Sequence, residues 1–157
     1  MSTSLATFVR KVSAGHDGGI QPRPCQVTVQ VARNTFISVT GTSTAEWVQR
    51  VKVTVEGDSA TYTLTANKGQ PLKTDKNVEA VTLGPYTTPK NITLDFSAKP
   101  PGSDFKPAYD VRPETEGSSN QLTVQGIATA YVFHSEDGGD RDYHDTTAIL
   151  SLVATTK

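Results

Sequence analysis

The chain has 157 residues, 35% hydrophobic and 20% charged, with a formal net charge of −1 at pH 7. That length and modest apolar content suit one domain, residues 1–157, with a thin two-layered core. The charge balance excludes a basic nucleic-acid or anionic-membrane surface, no apolar run is long enough for a membrane span, and the single cysteine, Cys25, excludes an intrachain disulfide.

Residues 5–12 read as a first short strand with Phe8 as a core candidate, and residues 1–12 carry no signal-peptide apolar stretch. The expected location is cytoplasmic, or exported without a cleaved signal peptide. Residues 14–24 collect glycine and proline and form a loop. Val27, Val29 and Val31 then alternate with polar residues, which predicts a half-buried strand. A second extended segment follows at 36–40, with Ile37 and Val39 on one face. Residues 41–46 form a polar Thr/Ser loop. Beyond it, Val51, Val53 and Val55 face one way and Lys52 and Thr54 the other. A turn at Gly57-Asp58 pairs that strand with 60–66 as a hairpin. Trp47, at the strand start, is expected to anchor the core.

Two further strands are predicted at 78–83 and 91–97. Residues 98–120 contain four prolines and form the longest irregular stretch, with Phe105 and Tyr109 placed to pack it onto a sheet. The segment 121–133 is the longest strand signal, and 146–154 is the last strand. No window shows the apolar spacing of a helix. The fold class is therefore all-β, a single-domain antiparallel sandwich of eight or nine strands.

Between the last two strands lies Ser-Glu-Asp-Gly-Gly-Asp-Arg-Asp-Tyr-His-Asp, residues 135–145. Five carboxylates fall here, on Glu136, Asp137, Asp140, Asp142 and Asp145, around two glycines that let the backbone fold back. Their mutual repulsion is relieved by a cation, and an all-oxygen donor set suits Ca²⁺. An EF-hand is excluded, because counting from Asp140 puts Asp145 where the loop glycine belongs and Ser151 where the last glutamate belongs. His134 and His144 are outnumbered by oxygen donors, which argues against zinc. No nucleophile–base arrangement is legible, so the chain is read as a binding protein and not an enzyme.

The same eleven residues resemble the calcium loop of the bacterial calcium-dependent fucose/mannose-binding lectins, Ser-Glu-Asp-Gly-x-Asp-x-Asp-Tyr-Asn-Asp, and depart from it only at His144. The resemblance is concentrated in the last thirty or so residues. It implies a calcium ion held by Glu136, Asp140, Asp142 and Asp145. A second ion would share Asp142 and Asp145, with His144 standing where the family has asparagine. Imidazole is a poor ligand for a hard cation, which sets that second ion apart. Asp137 is assigned to supporting the turn. By analogy with the family's specificity loop, Thr42, Ser43 or Thr44 would touch the sugar. The resemblance further implies fucose- or mannose-type glycans as partners and a homodimer or homotetramer. Two functions stay open: a calcium-dependent lectin, or a calcium-stabilised structural or assembly protein that binds no sugar.

Overall fold

Alternation of Val with Thr, Gln and Lys builds most of the structure, a computed structural model that describes residues 5–12, 24–113, 128–137 and 145–155. Among these residues the chain forms β1 (Ala6–Val12), β2 (Gln26–Val31), β3 (Thr35–Ser43), β4 (Val48–Val55) and β5 (Thr61–Ala66). It continues through β6 (Val81–Leu83), β7 (Lys90–Lys99), β8 (Lys106–Pro107), β9 (Asp110–Pro113), β10 (Ala128–Glu136) and β11 (Thr146–Ala154). The first sheet runs β1-β2-β7-β4-β5, with β8 added on β7. The second runs β6-β3-β11-β10-β9. Every pairing is antiparallel. The expected sandwich is found.

The period of two decides which side chains meet between the sheets. Val27, Val29 and Val31, then Val51, Val53 and Val55, then Ile92, Leu94 and Phe96 point inward from the first sheet. Ile37, Val39, Phe133, Ala148, Leu150 and Leu152 meet them from the second. Burying each of the larger side chains contributes about 1.5–3 kcal/mol. The β4–β5 hairpin pairs from Gln49↔Ala66 to Thr54↔Thr61, as the turn signal predicts.

Four local expectations change. Residues 41–43 are strand, because β3 stays in register with β11 as far as Ser43↔Thr146. Gly41 makes this possible: a Cβ there would sit 2.4 Å from the Thr147 carbonyl oxygen and 2.5 Å from Leu72 Cδ1. Only glycine lets the strand pass so close to its neighbours. Residues 78–80 do not join β6; the Thr74 hydroxyl accepts the Lys76 and Val78 amides, a side-chain turn that leaves Val78 exposed.

Phe8 and Trp47 are not core residues. Phe8 stands opposite Val29 on the inward side, but β1 is the edge of its sheet, so Phe8 is left 39% exposed and meets the core at the Phe133 ring, 6.5 Å away. Trp47 is half-buried at the end of the sandwich.

The Pro-rich stretch is the fourth change. β8 pairs with β7 and β9 pairs with β10, so the stretch crosses from one sheet to the other. The Ala108 amide donates to the Phe96 carbonyl at 3.0 Å, and the Tyr109 amide to the Glu136 carbonyl at 2.7 Å. Phe105 does pack onto the first sheet, with the Arg50 guanidinium 4.0 Å above its ring. Residues 114–127 lie outside the described residues, as do the first residues of the expected 121–133 strand.

On the outer face of the first sheet Asp95 accepts from Gln26 Nε2 at 3.2 Å. Burial raises its pKa above the ordinary carboxylate value, and that hydrogen bond together with Lys52 and Arg50 offsets the rise only in part. A carboxyl with a raised folded-state pKa binds protons more readily when folded. Stability therefore falls as pH rises from the ordinary carboxylate value through the folded one. Replacing Asp95 with Asn is expected to raise the melting temperature at neutral pH. The gain should vanish in acid, where Asp95 is protonated in both states. Melting curves from pH 3 to pH 7 decide this, and a gain that grows toward acid would reverse the sign.

Candidate metal centre

Three strands end together at one end of the second sheet. β3 stops at Ser43, β10 at Glu136, and β11 begins at Thr146, paired with Ser43 and with Ser135. β10 thus carries Glu136 to the mouth of the turn, and β11 receives the chain after Asp145. The Asp145 amide donates to the Ser135 carbonyl at 3.2 Å, closing the described base of the turn.

Here Glu136, Asp137 and Asp145 each bring one carboxylate oxygen to within 4.8 Å of the others. Glu136 is fully buried and Asp145 only 7% exposed. The Asp137 amide donates to Asp145 Oδ2 at 2.7 Å, so the turn itself holds Asp145 in place. Carboxylates this close and this buried repel strongly unless a cation lies among them. The donors are hard oxygens, as Ca²⁺ requires. The residues fit the ion.

Behind the cluster stands Gln49, 1% exposed. Its Nε2 donates to Asp137 Oδ2 at 2.9 Å and to the Trp47 carbonyl at 3.1 Å, while its Oε1 accepts from Thr146 Oγ1 at 2.7 Å. One amide thus ties β4 of the first sheet to both ends of the β10–β11 turn. Asp137, expected to support the turn, is bonded to Gln49 and to Asp145 and brings an oxygen to the cluster. Sequence reading passed over Gln49. Its signal was phase: Gln49 precedes Val51, Val53 and Val55 on the inward face, where glutamine needs partners.

Of the predicted ligands, Glu136 and Asp145 are brought together, whereas Asp140, Asp142 and His144 lie outside the described residues. The 41–46 segment lies directly beside the cluster, its Thr44 amide donating to the Asp145 carbonyl at 3.1 Å. Thr42 and Thr44 are exposed there. Ser43 is buried at 1% exposure and its hydroxyl accepts the Ala45 amide at 3.3 Å, so that side chain serves the loop. His134 bonds Thr147 Oγ1 through Nδ1 at 3.1 Å on β10.

The described residues thus form an antiparallel sandwich with three carboxylates gathered at the end of its terminal hairpin. The family model of the fucose-binding lectin II proteins (PA-IIL) matches residues 29–154, and the chain belongs to that family. Among solved structures, the chain is similar to a high-affinity mannose-binding lectin of Ralstonia solanacearum, with 23% identity and a TM-score of 0.52, over 79% of this chain and 93% of that one. It is also similar to the C-terminal domain of the BC2L-C lectin of Burkholderia cenocepacia (17% identity, TM-score 0.48, 82% and 97% covered). A third is the CV2L lectin of Chromobacterium violaceum, solved with α-methyl-fucoside (20% identity, TM-score 0.49, 76% and 88% covered). The Ralstonia likeness supports the fold. No curated protein sequence matches the chain significantly. The chain is a lectin by family, and the expectation of carbohydrate binding made from the 135–145 motif holds.

Proposed function

We propose that the chain binds glycans through calcium held at the turn between β10 and β11. The observation that carries the reading is the convergence of Glu136, Asp137 and Asp145, two of them buried, at the end of a lectin-family sandwich. Glu136 and Asp145 would hold the ion, joined by Asp140 and Asp142 of the same turn. Asp137, fixed by Gln49, would keep the turn in shape and is placed to lend an oxygen. A bound calcium has room in its shell for vicinal sugar hydroxyls, because it accepts six to eight oxygens in flexible geometry. Thr42 and Thr44, exposed beside Asp145, would meet the rest of the sugar. Fucose- and mannose-type glycans are the proposed partners, and binding without chemical turnover is the proposed activity.

A glycan array read with calcium and again with chelator tests this. Binding of fucose- or mannose-bearing glycans that chelator abolishes is the expected result. Calorimetric calcium titration gives the stoichiometry alongside. Calcium uptake with every glycan unbound would leave only a structural ion and would sink the lectin reading.

A further inference from the structure

Lys106 belongs to the Pro-rich crossing, and its Nζ lies 5.8 Å from the centre of the Trp47 ring. Pairing places it there: β4 opens at Val48↔Lys99, and β8 pairs at Ala98↔Lys106, on the same end of β7. Trp47 is held to the same end by Gln49, whose single Nε2 reaches both the Trp47 carbonyl and Asp137 Oδ2. The indole-bearing backbone is therefore one side-chain amide away from the acidic cluster. Three residues earlier, the Thr44 amide is bonded to Asp145. Between them Glu46 is paired with Lys68, which engages its charge on the outer side of the loop.

A tryptophan that served only packing would be expected inside the core. This one is half-buried, although Phe96 and Phe133 show that the sandwich accommodates large aromatic side chains completely. Trp47 is thus partly accessible, with its backbone at the end of the sandwich that carries the acidic cluster, and a pyranose uses an apolar surface near a polar site. Its hydroxyls turn toward a metal while the opposite, C–H-bearing face seeks an apolar surface. An ammonium near the ring fixes the indole by cation–π attraction and can donate to a ring or hydroxyl oxygen.

We infer that Trp47 and Lys106 form a side wall of the glycan site, the indole stacking on the sugar's C–H face and the ammonium donating to its oxygens. The inference rests on the reading of the acidic cluster as a calcium-dependent sugar site. It assigns to Trp47 a positioning and specificity role in that site, favouring sugars that expose a continuous C–H face or a methyl group.

Trp47 is the chain's single tryptophan, so its emission reports the wall directly. The experiment titrates calcium-loaded protein with methyl fucoside and methyl mannoside, following fluorescence and calorimetry in parallel. Emission is expected to change with the same midpoint as the heat. Trp47→Ala should weaken the preferred glycoside about tenfold, and Lys106→Ala two- to threefold, while the calcium midpoint and melting temperature stay close to the parent's. Trp47→Phe should recover most of the lost affinity, which a purely structural role does not require. Heat of sugar binding with unchanged emission, or unchanged affinity in Trp47→Ala, overturns the wall and leaves the calcium site standing. Absence of any calcium-dependent heat with either glycoside overturns both.

Discussion

Glu136→Gln is expected to make the protein's melting curve indifferent to calcium. In the parent, an ion that binds only the folded chain stabilises it by mass action, about 4 kcal/mol at a thousandfold excess over Kd. For a domain of this size that corresponds to about 8–16 °C between calcium-loaded and chelator-treated protein. Glu136 is the fully buried member of the cluster, at 0% exposure, at the last position of β10. Glutamine keeps its volume and removes the charge and one strong ligand oxygen. Scanning calorimetry of parent and variant, each with calcium and with chelator, gives the answer. A variant that keeps the parent's calcium shift would place the ion elsewhere.

The second large effect is expected from Gln49→Leu. Leucine fills the same inward position but leaves Asp137 Oδ2 and Thr146 Oγ1 without their amide partners. Losing the hydrogen bond to a carboxylate and the one to the buried Thr146 hydroxyl costs about 2–4 kcal/mol. The melting temperature should fall by about 4–16 °C. Calcium affinity should fall with it, since Asp137 and Thr146 flank the turn and both lose their anchor. Gln30, exposed on β2, is the control; Gln30→Leu should change stability by less than about 0.5 kcal/mol. Chemical denaturation with a calcium titration separates the two consequences. Lost stability with an unchanged calcium midpoint would make Gln49 a core residue and nothing more.

Strands whose partners are close in sequence, or whose alternation is strict, were readable from residues alone. β2, β4 and β5 are of this kind, and so is the inward set of β7. Long-range pairing defeated the reading elsewhere. Thr42 and Ser43 look like loop until β11 is laid beside them. β8 and β9 are short and contain Pro107 and Pro113, so their extended form comes from β7 and β10, not from local preference. Phe8 misled because alternation gives the facing of a side chain but not its place at the edge of a sheet, where an inward ring is only partly covered.

The site divides along the same line. Glu136 and Asp145 flank one short acidic segment, so their approach is legible from spacing and two glycines, whereas the oxygen that Asp137 brings to the cluster is not expected from sequence. Gln49 and Thr44 reach the same place from distant parts of the chain, and no local pattern announces the meeting. Even so, a glutamine in phase with three inward valines needs polar company. Ser43 offers the same lesson, since it continues the inward series Ile37, Val39 and Gly41. The residues 138–144, which include Asp140, Asp142 and His144, lie outside the described residues.

The crossing from β8 to β9 has a mechanical consequence. Two stacked sheets held only by apolar side chains can slide, because the hydrophobic effect has no preferred direction. Here consecutive amides, Ala108 and Tyr109, are bonded one to each sheet, and directional bonds resist displacement. Shear between the layers would have to break at least one of them. Tyr109 is bonded to the carbonyl of Glu136 itself, so that resistance acts at the residue from which the acidic turn departs. The crossing works as a crossbar at that end of the molecule, holding the turn's foundation in fixed alignment with the opposite sheet whichever sugar or ion comes and goes.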